Sequence, residues 1–171
     1  MNVLFLDHDG VICLAPQWGK RNTKKSKQKG EFFDPFCPKA IRVLNEIILI
    51  TNCEIVISSD WRLYRNLDYM QKMYLDRGIV KAPIDYTNIF DINDEDILEE
   101  TWEYKDKHQI LARVREKEIM EWVLKNNPKN WVAVDDLNMK KLSNFIHVPL
   151  KYEGIKQTGI AKKIINKLNG V

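Results

Sequence analysis

Cysteine is scarce in this sequence, and no apolar run approaches the length of a membrane span. The 171 residues include three cysteines, an odd number without CxxC spacing: Cys13, Cys37 and Cys53. This scarcity disfavours a disulfide framework and a zinc site built from cysteine pairs. A membrane helix needs about 20 apolar residues, and the chain opens without the basic and apolar segments of a secretory signal. We therefore expect a cytoplasmic protein in a reducing compartment.

Charge of one sign is missing from two segments of the chain. Residues 20–29 contain six basic residues and no acid, whereas residues 91–103 contain seven acids and no base. Outside the basic segment acids outnumber basic residues, although the net charge of the whole chain is +3. The acidic segment is typical of a solvated loop. The basic segment leaves two interpretations open, a solvated loop or a surface for a polyanion.

Apolar strands alternate with amphipathic helices along the rest of the chain. Short apolar runs predict strands at 2–7, 53–59, 130–136 and 145–150. One helix is predicted to have Asp34 as its N-cap and Pro35 in its first turn. Further helices are predicted to cover 63–77, 108–127 and 159–170. This order predicts an α/β fold with a mostly parallel central sheet. With 44% hydrophobic residues, we expect residues 1–171 to form a single domain, in which about 16–33 form a small flap.

Three of the predicted strands end in polar side chains. The pairs are Asp7 and Asp9, Ser58 and Ser59, and Asp135 and Asp136. The carboxyl ends of parallel strands lie at the same edge of a sheet, where ligands collect. One DxD or DD pair alone is more often a turn or a helix cap, but three pairs in this order predict a common site.

These strand ends resemble the motifs of the haloacid dehalogenase (HAD) superfamily. FLDHDGVI resembles its first motif, IVISSDWR its second and VAVDD its fourth, and Arg115 stands where the third motif has a basic residue. The chain also resembles a narrower group, the HAD domains associated with Swiss-army-knife RNA repair proteins. The matching segments are FDPFCPKAIRVLNEI, IVISSDWR, the RxxEI of REKEIMEWV and the late TGI. The resemblance implies a three-layer, HAD-like Rossmannoid fold with a minimal cap.

The resemblance implies a phosphatase that uses an aspartyl-phosphate intermediate. Asp7 would attack phosphorus, and Asp9 would protonate the leaving oxygen and later take a proton from the attacking water. By the family pattern Mg²⁺ would be held by the Asp7 carboxylate, the Asp9 main-chain carbonyl and an acid of the fourth motif. Asp136 is favoured for direct contact and Asp135 for support, and the assignment within this pair stays open.

Other residues would bind the phosphoryl group. Ser58 would hydrogen-bond one phosphoryl oxygen, with Ser59 as the alternative. Arg115 would balance the negative charge, with Lys117 as the alternative on the same helix. Arg62 follows the second motif and suits bidentate phosphate binding. His8 points away from the aspartates by strand alternation, so we expect it to pack rather than to react.

The expected substrate is the terminal phosphate of a nucleic acid or nucleotide. About 26 residues separate the first strand from the first helix, too few for a large cap, so an open site is predicted. Basic side chains near Trp18 favour a polyanion with bases that can stack; those taken as substrate-binding are Lys20, Arg21, Lys24 and Lys25. Two alternatives stay open: a small-molecule phosphatase without nucleic-acid preference and a non-catalytic phosphate-binding module. The choice between a 3′ and a 5′ end also stays open.

Overall fold

The apolar strands build one parallel sheet. The computed structural model describes residues 1–15, 36–91 and 106–171. Within them the strands are β1 (Asn2–Leu6), β2 (Glu54–Ile57), β3 (Asp85–Tyr86), β4 (Asn130–Asp135) and β5 (Phe145–His147). Their order is β3-β2-β1-β4-β5, and every pair is parallel. The sequence prediction of an α/β fold is confirmed, and β1 lies at the centre of the sheet.

Helices cover both faces of this sheet and give three layers. The described α-helices are α1 (Pro38–Thr51), α2 (Leu67–Asp76), α3 (Lys107–Asn126) and α4 (Ile160–Leu168). Leu4 and Leu6 pack with α1, α2 and α4 on one face. Val3 and Phe5 pack with α3 on the other. Because β1 is buried on both faces, it has the continuous apolar sequence that a central parallel strand requires.

The predicted start of α1 is wrong. The helix begins at Pro38, and its N-cap is Cys37 rather than Asp34, which lies outside the described residues together with Pro35. Phe36 is held in a β-bridge to Cys13, and the Cys37 amide donates to Ile12 O at 2.9 Å. These tertiary contacts keep the chain extended up to Cys37, so Pro38 takes the first helical turn.

The predicted helix at 63–77 is shorter in the structure. Residues Asp60–Leu63 form a 3₁₀ helix, and α2 begins after Asn66, whose side chain accepts a hydrogen bond from the Tyr69 amide at 2.9 Å. Gly78 follows the helix with φ +77°, as the predicted stop requires. The two-residue strand β3 was not predicted, because so short a segment has no readable periodicity.

Two sequence predictions concern parts of the chain that the structure does not describe. The basic flap at about 16–33 and most of the acidic segment lie outside the described residues.

Cys13, Cys37 and Cys53 are all buried as free thiols. None of the helices in the described parts of the chain is long and apolar enough to cross a bilayer.

Candidate active site

The three predicted motifs meet at the carboxyl edge of the sheet. The Asp7 amide donates to Val134 O at 3.1 Å, and the Ser58 amide donates to Leu6 O at 3.0 Å. These bonds extend the strand ladder one residue past β1 and β2, so the backbone at the first and second motifs is fixed. The fourth motif ends β4, the other neighbour of β1. The edge between β1 and β4 is therefore the switch point at which α/β sheets bind ligands.

Three carboxylates cluster at this edge. Asp7, Asp135 and Asp136 each place one oxygen within 4.8 Å of the others. Burial raises the pKa of Asp7 well above its usual value, Asp135 raises it further, and Arg115 opposes both effects. Burial likewise raises the pKa of Asp135 to about 6, against the opposing charge of Arg115. This oxygen-only donor set with crowded negative charge fits a hard divalent cation such as Mg²⁺.

Gly10 allows the first motif to approach Asp136 closely. Its φ is +80°, and a Cβ at this position would lie 2.7 Å from Asp136 Oδ2. Both facts require glycine at the turn after the DxD pair. The Lys151 ammonium lies 3.1 Å from Asp136 Oδ2, and His147 Nε2 lies 3.0 Å from Asp136 O. Lys151 was missed by the sequence analysis, because no motif connects it with the fourth-motif acids.

Arg115 contacts two of the three carboxylates, Asp7 and Asp135. Its Nη1 lies 3.5 Å from Asp7 Oδ1 and 3.0 Å from Asp135 Oδ2, and it also donates to Ser58 O. Its Nη2 donates to Asp60 Oδ1 at 2.5 Å. Although burial opposes the charge, these carboxylates raise the pKa of Arg115, so the guanidinium stays charged.

The other basic residues of the same helix are placed differently. Arg113 forms an ion pair with Glu116 at 3.1 Å. Lys117 is half-buried two residues further along α3. The structure therefore brings Arg115 to the acidic cluster and pairs Arg113 elsewhere.

Arg62 lies in a buried ion pair behind Arg115. Its Nη2 contacts Glu118, and Glu118 also lies 3.7 Å from Arg115 Nε and accepts from the Phe90 amide at 3.1 Å. Burial lowers the pKa of Arg62, against the opposing charge of Glu118. The predicted contact between Arg62 and substrate stays a prediction. Glu118 is the glutamate of the RxxEI segment, but its role was not predicted, because that role depends on two arginines brought together only by the fold.

The two serines of the second motif differ in their contacts. The Ser59 hydroxyl hydrogen-bonds the Asp7 carboxylate and lowers its pKa. The Ser58 hydroxyl is buried and has no hydrogen-bond partner among the described residues. A buried hydroxyl without a partner is costly, and a phosphoryl oxygen at the site would satisfy it.

An aromatic cluster holds the second aspartate. Trp61 Nε1 donates to Asp9 Oδ2 at 3.0 Å. Trp61 stacks on His8 with ring centroids 4.7 Å apart, His8 stacks on Phe36, and His8 Nε2 lies 2.8 Å from the Tyr74 hydroxyl. The expectation that His8 packs is confirmed, since it is fully buried among these rings. The link from Trp61 to Asp9 was missed, because the two residues are far apart in sequence.

The remaining predicted substrate-binding residues, Lys20, Arg21, Lys24 and Lys25, lie outside the described residues.

Comparison with known proteins adds a family. A family model described as "HAD domain in Swiss Army Knife RNA repair proteins" matches residues 3–156. This range contains every site residue described above, from Asp7 to Lys151. Neither the curated proteins nor the solved structures that were compared with the chain gave a match. With most of its length matched and the three motifs assembled at one sheet edge, the chain belongs to the HAD domain family of Swiss Army Knife RNA repair proteins.

Proposed function

We propose that this protein is a Mg²⁺-dependent phosphomonoester hydrolase that acts through a phosphoryl group on Asp7. Membership of the HAD domain family implies a phosphatase-type hydrolase. The observation that carries the finer proposal is the position of Asp7. It lies at the end of the central strand, beside the guanidinium of Arg115 and within 4.8 Å of two further carboxylate oxygens.

The donor set at this edge suits a divalent cation that binds with the substrate. Asp7, Asp136 and the Asp9 carbonyl would hold Mg²⁺, with Asp135, which accepts a hydrogen bond from the Leu137 amide at 2.8 Å, in support. When bound, the ion would offset the repulsion between these carboxylates and a phosphate dianion. The positive charge of Arg115, which contacts Asp7 and Asp135, would do the same.

The reaction proceeds in two steps, each carried by residues of this chain. The Asp7 carboxylate forms a bond to phosphorus as the bond to the leaving oxygen breaks, and Asp9 gives its proton to that oxygen. Asp9, now ionised, takes a proton from a water molecule as the water oxygen attacks phosphorus. The bond from phosphorus to Asp7 breaks and inorganic phosphate leaves. The Ser58 hydroxyl and Arg115 donate hydrogen bonds to the phosphoryl oxygens throughout.

The proposed substrate is the terminal phosphate of a nucleic acid or nucleotide. The family description names RNA repair proteins, and the basic segment 20–29 suits a phosphate backbone. We take residues 1–171 as one phosphatase domain with the segment at about 16–33 as a flap. We place the protein in the cytoplasm, where three buried free thiols are stable.

A substrate panel tests this function. Phosphate release is measured from p-nitrophenyl phosphate, mononucleotides, and oligonucleotides phosphorylated at the 3′ or the 5′ end, with Mg²⁺ and with EDTA. We expect the highest kcat/KM on one of the oligonucleotides, no release in EDTA, and no release by a folded Asp7→Asn variant. Equal kcat/KM on all esters would instead indicate a small-molecule phosphatase. Binding of phosphorylated oligonucleotides without any turnover would indicate a binding module.

A further inference from the structure

A group of exposed rings lies beside the proposed site, beyond the 3₁₀ helix that follows β2. Tyr64 is 79% exposed and Tyr69 is 42% exposed. Together with Arg65 and Asn66 they line an open hollow of about 510 Å³. Tyrosine rings contribute most when they bury their faces against another flat group. We call Tyr64, Arg65 and Tyr69 the aromatic platform.

The platform is held in place by Arg65 and Asn66. The Arg65 guanidinium lies 5.3 Å from the Trp61 ring centroid and 5.4 Å from that of Tyr69, so cation–π attraction connects the site to the platform. The Asn66 side chain accepts from the Tyr69 amide at the start of α2. The Tyr69 ring and the planar Arg65 guanidinium are thus positioned before a ligand binds, which lowers the entropic cost of binding a flat ligand.

Asp60 and Trp61, which precede the platform in the sequence, each contact a residue with a proposed role in the reaction. Asp60 pairs with Arg115, which would bind the phosphoryl group, and Trp61 donates to Asp9, which would protonate the leaving oxygen. If Asp9 protonates the leaving oxygen, the leaving group lies near Asp9 and Trp61. Arg65, which belongs to the platform, follows Trp61 closely in the sequence and places its guanidinium over the Trp61 ring.

We propose that the aromatic platform stacks the base of the nucleotide that carries the terminal phosphate. This inference rests on the proposed function and names the part of the substrate that the site recognises. In a nucleic acid the leaving group is the terminal sugar, and its base is the flat group nearest to the scissile bond. Stacking on tyrosine and arginine tolerates every base, because each has a π face.

Two oligonucleotides with the same terminal phosphate test the platform. One carries a base on the terminal nucleotide, and the other is abasic at that nucleotide only. For Tyr64→Ala and Tyr69→Ala we expect kcat/KM on the first substrate to fall by roughly five- to 100-fold, from typical stacking energies. On the abasic substrate we expect no change. Tyr64→Phe and Tyr69→Phe keep the ring and should retain wild-type values.

Matched controls separate this proposal from the proposed function. Leu124→Ala truncates a side chain that is 78% exposed near the C-terminal end of α3, and it should leave kcat/KM unchanged on both oligonucleotides. Wild-type kcat/KM that is equal on both oligonucleotides, or tyrosine variants that lose activity equally on both, would overturn the platform while leaving the phosphatase intact. Binding of both oligonucleotides to Asp7→Asn measures the platform without turnover. Equal affinity of Asp7→Asn for the two would overturn it as well.

Discussion

The two aspartates of the first motif are held by different kinds of interaction, Asp7 by an ion pair and Asp9 by a hydrogen bond from an indole. Asp7 faces the ionic side, formed by Arg115, Glu118 and Arg62 against α3. Asp9 accepts a hydrogen bond from Trp61 on the aromatic side, where the rings of His8, Phe36, Trp61 and Tyr74 cluster.

This difference agrees with the reaction step proposed for each carboxylate. A nucleophile must stay ionised while buried, and a fixed positive charge stabilises that state. An acid and base must change its protonation state, and a neutral indole donor orients the carboxylate without adding a full charge beside it. The ionic side is therefore expected to be the more sensitive of the two to substitution.

Arg115→Met should give the largest loss on the ionic side. The change leaves Asp7, Asp135 and Glu118 buried without their shared cation, which costs about 3–5 kcal/mol of unfolding free energy. We also expect kcat to fall by about 100-fold or more, because phosphoryl charge is no longer balanced. Denaturant unfolding and steady-state kinetics measure the two effects.

Arg113→Met is the matched control for Arg115. It lies on the same helix and pairs with the buried Glu116, which keeps a hydrogen bond from the Lys141 amide when Arg113 is replaced, so we expect a smaller loss than for Arg115. Similar losses in the two variants would contradict the central position of Arg115.

The acidic pair should divide its roles between metal and structure. Asp136→Ala should weaken Mg²⁺ binding more than Asp135→Ala, because Asp135 is engaged by the buried Arg115 and by Leu137 N, whereas Asp136 pairs with the exposed ammonium of Lys151. Mg²⁺ titrations of activity and isothermal calorimetry give the ranking. The reverse order would show that Asp135 is the direct ligand.

Without metal the ionic side should lose stability as the pH rises. Burial raises the pKa of Asp7 and that of Asp135, the latter to about 6, so the folded protein holds protons that the unfolded chain releases. The contribution of Asp135 to stability therefore falls as pH rises from about 4 through about 6, and that of Asp7 also falls as pH rises. Mg²⁺ binds the ionised carboxylates and should raise the Tm more at about pH 7.5 than at about pH 5. If the rise in Tm caused by Mg²⁺ does not depend on pH, Asp7 and Asp135 are not its cause.

Trp61→Phe should have a smaller and more selective effect on the aromatic side. It keeps a ring beside His8 but removes the donor to Asp9, so the orientation of the acid is lost. We expect kcat to fall about tenfold for a nucleotide ester, whose alkoxide must be protonated, and less for p-nitrophenyl phosphate, whose leaving group needs no acid.

Trp122→Phe is the control for the indole donor. It also removes an indole hydrogen bond to a carboxylate, that of Asp85, but at a distance from the proposed site. An equal loss on the two esters in Trp61→Phe would show that Trp61 does not act through Asp9.

Neutralising the basic segment should have the smallest effect on chemistry. Lys20, Arg21, Lys24 and Lys25 act, as we propose, through the phosphate backbone. Their removal should raise KM for an oligonucleotide and reduce the salt slope by about one unit per lost contact. Hydrolysis of p-nitrophenyl phosphate should barely change. If the ratio of kcat/KM between the two substrates stays constant at two salt concentrations, the segment is only solvated.

The sequence allowed prediction of those site residues that follow from strand pattern. Asp7, Ser58 and Asp135 are each the end of an apolar run, and parallel pairing forces such ends together. Lys151 had no such signal, because it reaches Asp136 from a distant segment, and Glu118 was noted as part of the RxxEI segment without a role.

Local rules failed where tertiary contacts override them. Asp34 has the chemistry of an N-cap, but the bridge between Cys13 and Phe36 keeps the chain extended to Cys37. The link from Trp61 to Asp9 likewise depends on His8 and Phe36 stacking in a set order, which no local pattern encodes.

The most direct test of the account is the location of the covalent phosphoryl group. The wild-type protein is given substrate with Mg²⁺, quenched in acid, reduced with borohydride, which cleaves acyl phosphates, and mapped by mass spectrometry. We expect the reduced residue to be Asp7, Asp9 to be unmodified, and Asp7→Asn to give no product. A reduced residue at Asp9, or full turnover by Asp7→Asn, would contradict it.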